Sequence, residues 1–194
     1  MIDEVTVRAF SHLEHVTLGH SERDCNHVAT VGGDEFPMHR LDLTPGCYNI
    51  TATTKRFEFS PGTEGCIKYF SDDLAGLVYG YECGEEVLHN VHTLKQFRFI
   101  PIISSPEFGG SIGPAVCAIL ARDFTEFEKD ARRFSRFHEN GEKWLQLYQS
   151  FTRAFVLGAE RGLVEVTTAC SLRLDFWWRG KAFWLGPKPE ADCW

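Results

Sequence analysis

Two glycine-rich stretches are the places where this chain could do chemistry: Gly62-Thr63-Glu64-Gly65, and the run from Gly109 through Gly110, Ser111 and Ile112 to Gly113. Each leads into a segment of helical periodicity. The first N–H groups of a helix have no partner inside it, so such a start offers donors to a phosphate or carboxylate. On that reading Gly62, Thr63, Gly65, Gly110 and Ser111 supply backbone and hydroxyl donors, and Glu64 and Glu107 are the nearby acids. The plainer reading is a pair of tight strand-to-helix turns, with Gly109, Gly110 and Gly113 able to take positive φ and Pro114 preset for a first helical position. Neither stretch carries the Gly-Lys-Ser/Thr ending of a nucleotide-hydrolase loop, and the second lacks the spacing of a dinucleotide fingerprint.

Other reactive residue types are present without a complete constellation. His12, His15, His20, His27 and His39 crowd one segment with Asp24, Cys25 and Asp34. Imidazole and thiolate suit zinc, but the spacings fit no finger and no His-Glu-x-x-His helix, so a solvated loop is expected, with no metal and no cofactor. His15-Val-Thr resembles one half of a two-histidine phosphoesterase pair; His89, His92 and His138 lack the hydroxyl residue two places on that a second half needs. Cys117, beside Val116, reads as a buried thiol, and Cys66 lies near a helix start with no histidine tied to it. The chain is therefore read as non-catalytic.

The end of the sequence suggests a different kind of function. Trp177, Trp178, Phe183, Trp184 and Trp194 fall in one short tail. Alternation along strands turns about half of them inward, and the rest must be exposed or covered by a partner. Trp177, Trp178, Trp184 and Trp194 are accordingly the expected partner-binding residues. A formal charge of −7 argues against a general nucleic-acid binder and for a protein partner. Seven scattered cysteines with no Cys-x-x-Cys pair suggest free thiols. With no span of some 20 apolar residues and no signal-peptide pattern at the start, a cytoplasmic protein without membrane contact is expected.

The elements that must position these residues follow from periodicity. Residues 4–18 alternate as a strand or bent strand pair, residues 49–59 read as a strand, and residues 66–78 carry helical spacing ended by Gly80 and Gly84. Residues 97–103 read as a buried strand interrupted at Pro101. From Pro114 to about Phe137, Val116, Leu120, Phe124, Phe127, Ala131 and Phe134 share one helical stripe. After a break at 138–141, Trp144, Tyr148, Phe151 and Phe155 mark a second helix folded back on the first, with Gly162 as its left-handed C-terminal residue and a strand from Leu163. Residues 172–185 suggest a hairpin. The expected fold is a single α+β domain over 1–194: a mostly antiparallel sheet packed by an antiparallel helix pair and a shorter helix. Its core covers 4–166 and its aromatic C-terminal hairpin 167–194.

Three blocks, Phe59 to Phe70, Phe99 to Phe124 with its Ile112-Gly113-Pro114 turn, and Trp144 to Val166, together resemble a family of phage and bacterial proteins with no settled activity. Thr6 to Val16 resembles the family's first strand as well. Relatives usually carry Gly-Ser-Tyr-Ser-Gly-Tyr with Trp-Arg soon after; here Gly62-Thr-Glu-Gly-Cys-Ile stands there, with Phe70 and Ser71. An acid usually directly precedes the second glycine turn, where this chain has Gly109. The resemblance implies a phage or mobile-element setting. The resulting expectation is an accessory protein that binds and inhibits or modulates a host protein through an acidic, aromatic surface. The alternative is sequestration or turnover of an anionic, nucleotide-like ligand at the two glycine turns.

Overall fold

The computed structural model describes residues 4–16, 28–31, 34–37, 46–104 and 110–169; the tail tryptophans and Glu107 lie outside the described residues. The elements are β1 (Glu4–Phe10), β2 (Glu14–Val16), β3 (Val28–Val31), β4 (Asp34–Pro37), β5 (Gly46–Asn49), β6 (Arg56–Thr63), α1 (Glu64–Tyr79), α2 (Gly84–His89), α3 (Ile100–Ile103), β7 (Gly110–Ile112), α4 (Pro114–Glu126), α5 (Glu128–Ser135), α6 (Gly141–Ala159) and β8 (Leu163–Ala169). This is an α+β fold.

The main sheet has the order β6-β1-β8-β7 and is antiparallel throughout. Alternation divides its two faces. Val5, Val7 and Ala9 of β1, Val164 and Val166 of β8 and Ile112 of β7 are buried in the core beneath the helices. The other face carries a polar row in register, Glu58, Arg8, Glu165 and Ser111, within which Arg8 Nε donates to Glu165 Oε2 at 2.7 Å. A smaller sheet has the order β2-β5-β3-β4, with β3 and β5 parallel.

Helix α6 lies on β1, β6 and β8, and α4 packs along α6. The two run antiparallel: Gly158, late in α6, meets Cys117, early in α4, while Tyr148 and Phe151 meet Phe124 near the end of α4. Trp144, Tyr148, Phe151 and Phe155 are fully buried, as their spacing predicts. Phe124 is the hub of the ring cluster, with centroids of Phe99 and Tyr148 at 4.8 Å and of Phe155 at 5.6 Å.

Four local expectations are corrected. The 97–103 segment is not a strand: Phe99 adopts φ +55°, its N–H is taken by Asp123 Oδ2 at 3.0 Å, and Pro101 falls in the first turn of the short helix α3. The strand expected over 49–59 begins only at Arg56, because the hydroxyls of Thr51, Thr53 and Thr54 bond one another and the His12 carbonyl, an alternative to ladder pairing. The helix from Pro114 is interrupted at Phe127 (φ −91°, ψ 6°), and the bend brings Phe134 to 4.8 Å from Trp144. After α6 the left-handed residue is Arg161 (φ 53°), not Gly162. Gly162 is needed for space instead: a Cβ there would stand 1.7 Å from the Phe10 carbonyl oxygen of β1.

Candidate functional site

Strands β6 and β7 are the outer strands of the main sheet and run in opposite directions, with β1 and β8 between them. β6 therefore ends beside Glu4, where Thr63 is paired, whereas β7 ends in the row of Val164 and Ala9, towards the far end of β1. Three strand spacings of about 4.8 Å separate the two strands by about 14 Å across the sheet. The fold thus does not bring Gly62 and Thr63 together with Gly110 and Ser111. Gly110 pairs with Val166, and Ser111, 1 % exposed, sits opposite Glu165 with its hydroxyl lacking a hydrogen-bond partner. Gly113 has φ −79° and ψ 175°, so the second turn uses no left-handed glycine among its described residues.

The first turn is built for a helix start. Thr63 takes extended angles and its Oγ1 accepts the Cys66 N–H at 3.4 Å, the side-chain cap that satisfies an otherwise orphaned donor. Gly62 needs its glycine, with φ +99° and an added Cβ only 2.9 Å from Cys66 Sγ. Cys66 is 1 % exposed and packs into this turn, so its thiol is not presented as a nucleophile.

From here α1 presents Glu64, Lys68 and Asp72, one turn apart, along the wall of a cleft of about 330 Å³. Gly65 belongs to the same wall. Glu85 and Leu88 of α2 form the opposite side, and Ser71, Gly84 and Ile103 of α3 lie between. Two contacts fix the shape. Asp72 Oδ1 accepts the Gly84 N–H at 2.7 Å and so joins α1 to the start of α2. A Cβ on Gly84 would come within 3.0 Å of Ile103 Cγ2, so glycine lets α2 and α3 close together. Ser71 is 2 % exposed, and no hydrogen bond occupies its hydroxyl among the described residues. Among the described lining residues, three carboxylates, Glu64, Asp72 and Glu85, accompany one ammonium, Lys68, a formal −2.

Of the ligand residues expected from sequence, Glu64 and Gly65 line this cleft and Gly62 and Thr63 shape the turn beneath it. Lys68, Ser71, Asp72 and Glu85 are new to the site. The spacing of Glu64, Lys68 and Asp72 by four residues was a readable signal; Glu85 arrives from another helix, and only the fold brings it there.

Beside the cleft, on the neighbouring face of α1, Asp73 meets His138 of the α5–α6 turn, Oδ2 to Nε2 at 3.2 Å. The Asn140 N–H donates to His138 Nδ1 at 3.3 Å, which assigns the ring proton to Nε2, facing Asp73. Burial pushes the Asp73 carboxyl above the usual carboxylate range, and His138 offsets part of that rise. The Trp144 indole N–H turns towards Asp73 without closing a hydrogen bond. Among the described residues no group of three His, Cys, Asp or Glu side chains is placed to hold a metal ion. No described helix is long and apolar enough to cross a membrane.

No protein family, no curated protein and no solved structure matches this chain.

Proposed function

We propose that this is a binding protein that acts by holding a small polar molecule in the α1–α2 cleft rather than by converting it. The observation that carries this reading is the cleft itself. Its volume of about 330 Å³ falls within the range of small-molecule sites, roughly 300–1,000 Å³, and the Ser71 hydroxyl and Lys68 ammonium stand on its walls with no partner among the described residues. The three carboxylates weigh against the phosphate-bearing ligand that the glycine turns suggest, because bringing a phosphate beside them costs repulsion on top of desolvation. Thermal-shift screening of a diverse library against the wild type and Leu88→Trp, which fills the cleft, tests the reading. A ligand at 100 times its Kd stabilises by about 2.7 kcal/mol. Hits lost in Leu88→Trp support the site; hits indifferent to it place binding elsewhere.

A second reading, occupation of a host protein through an acidic, aromatic surface, is favoured by unusually exposed aromatics: Phe137 at 85 %, Phe97 at 61 % and Tyr69 at 59 %. On this reading Trp177, Trp178, Trp184 and Trp194 are the partner-binding residues of the sequence, in the phage or mobile-element setting the three sequence blocks suggest. A pull-down from host lysate compares the intact protein with a folded Trp177→Ala, Trp178→Ala, Trp184→Ala variant. Capture of the same partner by both removes the tail from the interface.

A further inference from the structure

We propose that the cleft's ligand is a small zwitterion, an organic molecule with an ammonium group at one end and a carboxylate at the other. This rests on the reading of the cleft as a ligand site and concerns what that site selects. Lys68 on α1 and Glu85 on α2 bring opposite charges to the lining of the cleft, and neither forms an ion pair with another described residue. Each is anchored on an exposed helical position, which leaves its side chain long enough to fold over a guest.

Charge matching narrows the class. A ligand that is only an anion would satisfy Lys68 and lie against Glu85 and Asp72. A ligand that is only a cation would satisfy those acids and leave the Lys68 ammonium partly desolvated without a counter-charge. A zwitterion meets both demands. A metal ion is disfavoured by the layout itself: Glu64 and Asp72 lie eight residues, about 12 Å, apart along α1, Glu85 comes from α2, and no group of three such side chains among the described residues is placed to hold a metal ion. Ser71 adds a hydroxyl at the floor that can bond either end, and Leu88 and Ile103 supply apolar surface for the short aliphatic chain between them.

Titration calorimetry of the full chain with γ-aminobutyrate, butylamine, butyrate and adenosine monophosphate tests the inference. The zwitterion is expected to bind about tenfold or more tightly than either single-charge analogue. Lys68→Met should lower its affinity to the level of butylamine, and Glu85→Gln to the level of butyrate. Both positions are exposed, so the variants should keep the wild-type melting temperature. Tighter binding of butyrate or adenosine monophosphate than of γ-aminobutyrate, lost in Leu88→Trp, overturns the ligand class and leaves the cleft as a binding site. Binding of γ-aminobutyrate that survives Leu88→Trp overturns the inference, as does failure of all four probes. In the latter case the library screen decides separately whether the cleft binds anything.

Discussion

The carboxylate of Asp123, in the third turn of α4, holds the backbone N–H of Phe99 at 3.0 Å across a separation of 24 residues. The same carboxylate accepts from the Arg98 guanidinium at 2.7 Å, and Asp123 itself is fully buried. Arg98 continues to Glu126 at 2.6 Å, and the Arg98 N–H donates to the Tyr79 hydroxyl. One acid thus pins the chain leading into α3, which in turn forms part of the cleft, and holds Phe99 in a left-handed conformation that costs a non-glycine residue about 1–2 kcal/mol.

Asp123→Ala should therefore cost about 3–5 kcal/mol, since it orphans a buried N–H and takes from a partly buried guanidinium the more buried of its two carboxylate partners. Glu126→Gln, at the exposed end of the same network, should cost less than about 1 kcal/mol. Urea denaturation of the two variants checks this, and equal losses would show that the network acts as a surface feature.

Glycine at 162 and arginine at 161 should respond in opposite directions. Gly162→Ala places a Cβ against the β1 backbone, which cannot yield as a side-chain tip can, and a loss of at least about 3 kcal/mol is expected. Arg161→Gly relieves a left-handed residue but gives the unfolded chain more freedom, for a net gain of about 0.5 kcal/mol. A thermal melt in which Gly162→Ala behaves like the wild type would contradict the close approach of β1 to the end of α6.

The ring cluster makes a graded prediction. Phe124→Ala opens a cavity among five aromatic neighbours and should cost about 3–5 kcal/mol. Phe127, which periodicity places on the same stripe, is only partly buried at the bend and should cost about 1–2 kcal/mol on truncation. If Phe127→Ala proves the more damaging of the two, the interruption between α4 and α5 has been misplaced.

Asp73 sets a pH dependence whose sign follows from its raised pKa. Between the unfolded value near 3.8 and the higher folded one, the native state binds more protons than the unfolded chain, so stability falls as pH rises through that window. Asp73→Asn keeps an acceptor for His138 and removes the titration. It should match the wild type below about pH 3.8, exceed it by a margin that grows as the pH rises towards the folded pKa, and hold that margin constant above it. Denaturation midpoints from pH 3 to 7 measure this; a wild type that gains on the variant with rising pH would mean that pairing with His138 outweighs burial.

The helical pair was legible because its signal is local. Trp144, Tyr148, Phe151 and Phe155 repeat at helical spacing, and all four are buried. The β1 alternation and the starts of α1 and α4 are equally local, set by Thr63 and by Pro114. What the sequence hid depends on distant partners. Phe99 leaves the extended conformation its neighbours favour because Asp123 is there to hold it. Gly162 is glycine because of Phe10. The cleft follows the same rule: Glu64, Lys68 and Asp72 lie on one readable face, but Glu85 faces them only because Asp72 docks α2. The glycine turns looked alike in sequence and seemed to promise one shared site; strand order puts them on opposite edges.

The position of β1 between β6 and β8 also constrains how the protein can be made. Arg8 and Glu165, paired across these central strands, are 157 residues apart. At a synthesis rate of roughly 5–20 residues per second, β1 waits on the order of 8–30 s for its second neighbour. Through that interval Val5, Val7 and Ala9 are without the β8 side of their core, and β1 offers an open edge to any other strand nearby. A nascent chain of this topology needs shielding until β8 emerges, so its yield in the cell should depend on holding chaperones more than its final stability suggests.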